Sequence, residues 1–238
     1  MHGLILAGGE GSRLRADGVS VPKPLVAVGD EPLVARLLRT LAELGCETLT
    51  CMVRADLPAV FAYLEGRRFG PPLDVRACRT PSSLDTLVEG LARIPDGPVF
   101  ATMVDTLMPA EDWRTVYDGA ARSLGAGQDV VLAVTPFVDD EAPLYVRVDR
   151  AGQVTELGNE RLEPPCVTGG VYALSPAARR AAALARAQGI GRVRGFLIWL
   201  RGQGWSIGTV SVERILDIDH ESDLRLANAW LGSPEAER

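Results

Sequence analysis

The chain has 238 residues, of which 47% are hydrophobic and 24% are charged, a balance that is ordinary for a globular protein. Its net charge of −6 argues against non-specific binding to nucleic acid or to anionic membranes. No apolar run approaches the roughly 18 residues that a transmembrane helix needs, and no charged leader precedes an apolar segment at the N-terminus. We therefore expect a cytoplasmic protein whose partners are neither nucleic acid nor membrane.

Histidine and cysteine are too few and too scattered for several common kinds of catalytic site. His2 and His220 are the only histidines, and the four cysteines have no CxxC spacing. A structural zinc site and a His-based catalytic triad are therefore disfavoured. The apolar surroundings of the cysteines predict buried, reduced thiols at Cys46, Cys51, Cys78 and Cys166.

In chain order, the first 135 residues alternate buried strands with amphipathic helices. This alternation is typical of an α/β fold with a doubly wound, mostly parallel sheet. The polar segment 8–24 is predicted to be a long loop, and such loops usually carry function. Strands are predicted at 3–7, 47–53, 73–79, 99–104 and 129–135, and helices at 32–44, 58–66 and 109–124. A further helix is predicted to be opened by the polar turn at 80–86 and to run to about residue 93.

The pattern changes after residue 135, where three short strands follow one another without a helix between them. These strands are predicted to form an antiparallel extension laid across the ends of the main sheet. The whole chain, 1–238, is expected to form one domain. The elements predicted in this half are strands at 145–149, 153–157 and 167–174, helices at 176–188 and 193–203, strand pieces at 205–212 and 214–218, a last helix at 221–231, and a frayed tail at 233–238.

The stretch between the first strand and the first predicted helix is the most informative part of the sequence. The strand runs into Gly8, Gly9 and Gly11, and Lys23 follows between two prolines. A P-loop needs four residues between its glycines and then Gly-Lys-Ser/Thr, which this stretch does not supply. A dinucleotide fingerprint fits poorly because its third glycine is missing and we expect no helix before residue 22, although Asp30 lies at a suitable distance for a ribose.

A loop that wraps a triphosphate fits these residues better. Glycines let the backbone N–H groups of residues 8–12 face phosphate oxygens. Arg13 would clamp the β- and γ-phosphates with two hydrogen bonds, and Lys23 would reach the α-phosphate as a compact cation. Lys23 is the only lysine among 25 Lys and Arg residues, and its flanking prolines restrict the backbone around it. The sequence therefore predicts a functional role for Lys23.

The segments LAGGEGSRL (6–14) and PKPL (22–25) resemble the signature of the nucleotidyltransferases that make nucleoside-diphosphate sugars. The resemblance implies a Rossmann-like α/β/α fold with a nucleotide-binding half (1–135) and an acceptor-binding half (136–238) that includes the closing helix. It implies Mg²⁺-dependent transfer of a nucleotidyl group from an NTP to a sugar 1-phosphate, with release of pyrophosphate. Arg13 and Lys23 would be catalytic. The nucleotide-binding residues would be Leu6, Ala7, Gly8, Gly9, Glu10, Gly11 and Ser12.

Three aspartates are the metal ligands that the resemblance implies. Asp105 ends the predicted strand 99–104, while Asp217 and Asp219 lie on a late strand ahead of the last helix. Carboxylates at two strand ends could share a hard cation such as Mg²⁺ with phosphate oxygens. Capping or turn formation is the alternative role for each, since aspartate is common at both.

Residues 82–86 occupy the position at which relatives hold the nucleobase. The glycines of the usual run are replaced here. Ser83 and Thr86 are the expected base contacts, and N-capping of the following helix by Ser83 or Asp85 is the alternative.

Two further segments resemble the acceptor side of such enzymes. Glu160 and Arg161 stand where relatives carry a Glu-Lys-Pro segment that grips the sugar phosphate, and a solvated ion pair is the alternative. Gly169 and Gly170 match a strand that lines the sugar side, where the absence of side chains would let the backbone contact sugar hydroxyls. The Tyr-Gly pair of many relatives is missing near residue 144, which leaves the exact acceptor open.

Several functions remain compatible with the sequence. A cytidylyltransferase for a phospho-alcohol such as phosphocholine and a heptose- or muramate-phosphate enzyme are alternatives within the class. Molybdopterin guanylyltransferases share part of the loop but match the second half less well. A nucleotide-sugar-binding module that has lost catalysis is the alternative outside the class. The expected partners are an NTP and a phosphorylated sugar or alcohol, and the sequence leaves a homo-oligomer open.

Overall fold

A mixed β-sheet of nine strands runs through the described part of the protein, with helices on both of its faces. A computed structural model of the chain describes residues 1–139 and 141–231. The tail predicted at 233–238 lies outside these residues.

The main predicted elements are present, with boundaries that differ from the predicted ones by a few residues. None of the helices in the described part of the chain is both long and apolar enough to cross a membrane. The strands are β1 His2–Ala7, β2 Ala27–Val28, β3 Glu31–Pro32, β4 Leu49–Arg54, β5 Leu73–Cys78, β6 Val99–Met103, β7 Thr106–Leu107, β8 Val130–Thr135, β9 Tyr145–Val148, β10 Val154–Gly158, β11 Val167–Leu174, β12 Ile207–Ser211 and β13 Leu216–Asp217. The helices are α1 Ser12–Ala16, α2 Leu33–Glu43, α3 Pro58–Leu64, α4 Ser83–Leu91, α5 Ala110–Gly125, α6 Pro176–Ala187, α7 Val193–Gly202 and α8 Glu221–Leu231, with a 3₁₀ turn at Lys23–Leu25.

The main sheet has the order β12-β8-β11-β6-β1-β4-β5, with β1 between β6 and β4. Strands β5, β4, β1 and β6 are parallel to one another, and β12 is parallel to β8. Only β11 runs against its neighbours in this row, because it pairs antiparallel with both β6 and β8. This arrangement confirms the mostly parallel α/β sheet that the alternating pattern predicts.

The position of β11 differs from the sequence-based expectation. Strand β11 lies inside the main sheet rather than across its ends, and seven of its eight residues are buried. Burial at nearly every position is typical of a strand that is covered on both faces. The antiparallel extension therefore consists of the β9–β10 pair, which joins β11 through the bridge between Val167 and Tyr145.

Alternate side chains of β1 show how the layers form. Leu4 and Leu6 pack into a core under α4, α6 and α7, while Ile5 and Ala7 pack into a core under α2, α3 and α5. Successive residues of a strand point to opposite faces of the sheet, so a strand that is apolar at every position requires both faces to be covered. The result is an α/β/α sandwich.

The loop predicted at 8–24 contains two short helical elements that the sequence analysis missed. Helix α1 begins directly after Gly11, so the expectation that no helix forms before residue 22 is wrong. Leu14 of α1 is 1% exposed and packs with Val28, Leu33 and Ile218 in a third apolar cluster beneath the loop. A five-residue helix has little stability of its own, so this tertiary burial holds it in place.

The prediction that the cysteines are buried is confirmed for three of the four, and Cys166 is the exception. All four are free, and Cys46, Cys51 and Cys78 are buried while Cys166 is half-buried. Burial raises the pKa of Cys51 to about 12 and that of Cys46 to about 11. Thiols with such raised pKa values are poor nucleophiles at neutral pH.

We predict that Leu14→Ala lowers the free energy of unfolding by about 2–5 kcal/mol, because it removes a fully buried side chain from the cluster beneath the loop. Urea unfolding followed by circular dichroism measures this loss. Val21→Ala is the matched control, since Val21 is 47% exposed in the same loop and should change stability by less than about 0.5 kcal/mol. Equal stabilities for the two variants would contradict the anchoring role of Leu14.

Candidate active site

The carboxyl ends of β1 and β6 open into a cleft of about 350 Å³. In open α/β sheets, ligands bind outside the carboxyl ends of the parallel strands. Strand β1 leads into the glycine loop, and β6 leads within two residues to Asp105. The cleft is lined by Leu6, Gly9, Glu10, Gly11, Ser12, Arg13, Lys23, Pro24, Met103, Val104, Asp105 and Asp219.

Lys23 lines this cleft, and its side chain is only 7% exposed. Its Nζ donates hydrogen bonds to Oδ2 of Asp105 and, over 2.6 Å, to Oδ1 of Asp219. Burial by itself would lower the pKa of Lys23, but attraction to the two carboxylates outweighs burial and raises it. Lys23 is therefore a cation throughout the physiological pH range.

Asp219 joins the two residues that the sequence predicts to be catalytic. Its Oδ1 accepts from Lys23, and its Oδ2 accepts from Nη1 of Arg13 over 2.6 Å. Burial would raise the pKa of Asp219, but Lys23 and then Arg13 outweigh it, so the pKa is lowered. Nη2 of Arg13 also lies 3.5 Å from Oε2 of Glu141. One ionised carboxylate thus bridges both cations.

Gly11 allows the loop to approach Lys23. Its φ is +59°, in the left-handed region that favours glycine, and it directly precedes α1. A Cβ at this position would lie 3.0 Å from Cβ of Lys23. Both the backbone angle and the lack of space therefore favour glycine here.

The carboxylates around Lys23 suit a magnesium ion. Asp105 and Asp219 converge on one atom, and Mg²⁺ in proteins usually takes one or two carboxylates and completes its shell with substrate phosphates and water. Among residues 1–139 and 141–231, no three His, Cys, Asp or Glu side chains form a ready-made metal cluster. A site that shares its ion with a bound nucleotide fits this donor set better than a closed protein cage.

Asp217, the third predicted metal ligand, occupies a different environment. It pairs with Thr106 across β13 and β7, and its Oδ1 accepts a hydrogen bond from Oγ1 of Thr106 over 3.3 Å. Together with Asp219 it lines a second cleft, next to the first one. The structure therefore gathers Asp105 and Asp219 at Lys23, and Asp217 faces the neighbouring cleft.

A larger cleft of about 540 Å³ lies beside the glycine loop and contains both predicted base contacts. Thr86 is 3% exposed, and its Oγ1 donates to the carbonyl of Ser82 and shares a hydrogen bond with Thr80. Oγ of Ser83 accepts from the backbone N–H of Val193 at the start of α7. The cleft is lined by Leu6, Gly8, Gly9, Glu10, Arg54, Ala55, Asp56, Cys78, Arg79, Thr80, Pro81, Ser82, Ser83, Thr86 and Met103.

The cap of helix α4 is neither of the two predicted residues. Ser82 is the N-cap, and its Oγ accepts from the backbone N–H of Asp85 over 3.2 Å while donating to the Asp85 carboxylate over 2.5 Å. An Oγ that accepts from an amide three residues later is the usual capping contact. Thr86 follows this cap and packs against the loop, since a Cβ on Gly8 would lie 3.0 Å from Oγ1 of Thr86.

The predicted acceptor residues are divided between two environments. Gly169 lines the second cleft, where a Cβ would lie 2.2 Å from Cδ1 of Ile215. Gly170 has a φ of +70° in the irregular part of β11. Glu160 and Arg161 lie in an exposed loop, where Nε of Arg161 donates to Glu163 over 2.7 Å. The arginine is thus ion-paired as the alternative interpretation expects, although with Glu163 rather than with Glu160.

A group of side chains that the sequence did not indicate connects the end of α1 to the segment before α8. Nδ1 of His220 lies 2.9 Å from Oδ2 of Asp17, and its Nε2 lies 3.3 Å from Oε1 of Glu141. The hydrogen bond to Asp17 raises the pKa of His220. Asp17 and His220 are 203 positions apart, so no local pattern in the sequence could reveal their contact.

Comparison with known protein families gives one match over most of the chain. The family model of MobA-like NTP transferase domains matches residues 3–197. The chain belongs to this family. Membership in this family confirms the resemblance to NTP transferases that was based on the glycine loop and the PKPL segment.

Curated relatives of this NTP transferase domain include two sugar-phosphate enzymes. A glucose-1-phosphate thymidylyltransferase of Actinoplanes sp. is 29% identical over 177 residues, which cover 72% of this chain and 57% of the relative. A mannose-1-phosphate guanyltransferase of Pichia angusta is 26% identical over 187 residues, which cover 74% of this chain and 50% of the relative. The chain thus spans about half the length of these curated relatives.

Solved structures confirm the fold of the NTP transferase domain. A Bacillus anthracis protein assigned as a glucose-1-phosphate thymidylyltransferase, solved in complex with sucrose, has a TM-score of 0.82 at 16% identity. The match covers 97% of this chain and 94% of that one. The inositol-1-phosphate CTP transferase of T. maritima has a TM-score of 0.76 at 15% identity, covering 98% and 96% of the two chains. At these identities the comparison establishes a shared Rossmann-like fold.

We predict that His220 stabilises the fold more at low pH than at high pH. The pKa of His220 is higher in the folded protein than its ordinary value of 6.5 in the unfolded chain. The ion pair with Asp17 therefore contributes its full stability below pH 6.5 and loses it as the pH rises through the pKa of the folded state. The stability difference between the wild type and His220→Asn, measured by urea unfolding, should therefore be larger at pH 6 than at pH 9. The same substitution in an Asp17→Asn background is the control and should show a smaller pH dependence. A difference that is the same at both pH values would contradict this role.

Proposed function

We propose that this protein is a Mg²⁺-dependent nucleotidyltransferase that transfers a nucleotidyl group from an NTP to a sugar 1-phosphate and releases pyrophosphate. The observation that carries this proposal is the bridge from Lys23 through Asp219 to Arg13, beside Asp105 and at the mouth of the glycine loop. It brings two cations and two carboxylates to the place where an α/β sheet binds its ligand. Lys23 and Asp105 come from the first half of the chain and Asp219 from the second, which is consistent with one domain formed by both halves.

The donor nucleotide would lie across the first and the larger clefts. The backbone N–H groups of residues 8–12 would face the phosphates, with Arg13 on the β- and γ-phosphates and Lys23 on the α-phosphate. The base would enter the larger cleft beside Ser83 and Thr86. Leu6 and Ala7, which are 2% and 1% exposed, would hold the loop at its start.

The chemistry would be an in-line displacement at the α-phosphorus. An oxygen of the acceptor phosphate forms a bond to that phosphorus, and the bond to the β-phosphate oxygen breaks with its electron pair leaving on pyrophosphate. No protein nucleophile takes part, so the protein contributes positioning and neutralisation of charge. Lys23 and Arg13 would stabilise the negative charge that develops on the phosphates.

A bound Mg²⁺ would be held by Asp105 and Asp219, with the remaining positions taken by phosphate oxygens and water. Its contribution would be to neutralise phosphate charge and hold the donor in line. Asp217, on the neighbouring cleft, remains a predicted ligand. The carboxylates that would hold the ion are the same ones that hold Lys23.

Sugar 1-phosphates are the acceptor class that the relatives favour, since those enzymes are named for glucose 1-phosphate and mannose 1-phosphate. The acceptor would enter through the second cleft, which Gly169 lines and which borders Asp219. Gly170 would shape this side of the cleft, and Glu160 and Arg161 would reach the sugar phosphate from their exposed loop.

The free thiols suit a protein of the reducing cytoplasm, which is the location we propose.

A pyrophosphate-release assay over four NTPs, several sugar 1-phosphates and phosphocholine tests this proposal. Release with a sugar 1-phosphate supports it. Release only with CTP and phosphocholine would indicate a cytidylyltransferase for phospho-alcohols instead. Nucleotide binding without release for any pair would indicate a catalytically silent binding module.

We predict that Lys23→Ala lowers turnover by about 10²–10³-fold, because it removes a charge that faces the reacting phosphate. Lys23→Arg should also be impaired, since the space between Asp105 and Asp219 suits a compact ammonium and not a planar fork. Pyrophosphate release measures turnover, and circular dichroism checks the fold. Arg39→Ala is the control, because it removes a surface cation that pairs with Glu31 and Glu43. Near-normal turnover of Lys23→Ala would refute the assignment.

We predict that removal of divalent metal by EDTA abolishes turnover and that added Mg²⁺ restores it.

Asp105→Asn should raise the Mg²⁺ concentration needed for half-maximal turnover by about tenfold or more. Loss of a residue that only hydrogen-bonds to a metal ligand already lowers metal affinity by about 10–100-fold, and loss of a ligand should cost at least as much. Asp74→Asn is the control, because Asp74 pairs with Arg76 on the edge strand β5. An unchanged Mg²⁺ requirement in Asp105→Asn would rule out Asp105 as a ligand.

A further inference from the structure

Three successive backbone N–H groups, at the turn into α8 and the first residue of that helix, donate to carboxylate oxygens. Those of Asp219 and His220 donate to the same Oδ2 of Asp223, over 2.9 Å and 2.6 Å. That of Glu221 donates to Oδ2 of Asp17 over 3.1 Å. The turn that carries Asp219 is therefore held by two carboxylates, one from α8 and one from the end of α1.

Helix capping alone does not account for both bonds to Asp223. Helix α8 begins at Glu221, so Asp223 is the third residue of the helix and His220 is the cap position. A side chain at the third position commonly reaches back to the N–H of the cap residue, as in a capping box. The bond to the N–H of Asp219 lies one residue further out and orients the peptide unit from which the Asp219 side chain projects.

The orientation of that peptide unit matters because Asp219 makes two directional contacts at once. Its Oδ1 meets Lys23 and its Oδ2 meets Arg13, each over 2.6 Å. A rotation of the backbone would move both oxygens together and weaken both contacts. Displacements of about 1 Å in such arrangements can cost about 10²-fold in rate.

We infer that Asp223 is a positioning residue of this site: it fixes the backbone of Asp219 so that the Asp219 carboxylate holds Lys23 and Arg13 together. This inference rests on the proposed function for its catalytic consequence. Asp223 lines the same cleft as Asp219, and the part of its carboxylate that accepts the two amides is Oδ2. Its contribution is geometric and passes through Asp219.

The single lysine of the chain provides a test that needs no substrate. Lys23 is the only side-chain amine, and its side chain is 7% exposed while paired with Asp105 and Asp219. Reductive methylation with isotope-labelled formaldehyde, followed by peptide mass spectrometry, gives its rate of modification. The α-amine of Met1 is the internal reference, because it binds Glu47 and Tyr117 instead.

We predict that Asp223→Ala raises the modification rate of Lys23, taken relative to that of Met1, by about fivefold or more over the wild type. The rate should reach at least half of the rate in Asp219→Ala, which lacks the carboxylate itself. Asp223→Asn retains an oxygen that can accept the two amide bonds and should restore at least half of the protection. Glu221→Gln is the matched control in the same helical turn, where the side chain pairs only with Arg225 among the contacts described. Thermal melting and circular dichroism confirm that each variant is folded under the labelling conditions.

Two results would overturn the inference. One is a Lys23 rate in Asp223→Ala that stays within twofold of the rate in Glu221→Gln. The other is a rate in Asp223→Asn as high as in Asp223→Ala, since that would assign the effect to charge and not to hydrogen bonding. If the substitutions instead unfolded helix α8, the Lys23 rates in Asp223→Ala and Asp223→Asn would rise equally. That result would also count against a positioning role for Asp223.

Steady-state kinetics then separates this inference from the proposed function. If the wild type transfers nucleotide, Asp223→Ala should lower kcat by about tenfold or more while KM for the NTP stays within threefold. A wild type without activity would defeat the proposed function, yet the labelling rates would still decide whether Asp223 positions Asp219. An active Asp223→Ala variant with normal kcat would overturn the catalytic part of the inference alone.

Discussion

The site depends on one buried ammonium held between two carboxylates. An unpaired charge with the 7% exposure of Lys23 would cost several kcal/mol of desolvation. Asp105 and Asp219 offset that cost, and Asp219 is itself balanced by Arg13. Each charge therefore requires the next one to be in place, and the glycine loop, the end of β6 and the start of α8 must meet at one point.

The apolar packing beneath the loop makes this meeting possible. Leu14 from α1, Val28 and Leu33 from the next segment, and Ile218 beside Asp219 share one cluster. This cluster joins residues from both halves of the chain, among them the sequence neighbours of Arg13 and Asp219. The polar contacts of Asp17 and Asp223 then set the path of the backbone above it. The loop is thus a packed structure whose glycines admit the approach of Lys23.

Sequence patterns predicted the fold where the pattern is long and failed where it is short. The main strands and the amphipathic helices of the first half were predicted correctly because their apolar patterns follow which side chains face the core. Helix α1 was missed because five residues carry too little periodicity, and the burial of Leu14 supplies its stability. The place of β11 between β6 and β8 was missed because a strand pattern in the sequence does not indicate which strands lie beside it.

The sequence by itself determined the chemical groups of the site: a glycine loop after a buried strand, one lysine between prolines, and aspartates at strand ends. Only the tertiary structure decided how they combine. It joined Lys23 to Asp105 and to Asp219, 82 and 196 positions away, and turned Asp217 toward Thr106. Strand β13 ends at Asp217, so the turn into α8 sends Asp219 in a direction that strand alternation does not predict. Contacts over such separations depend on how the elements pack, and local sequence carries no record of that packing.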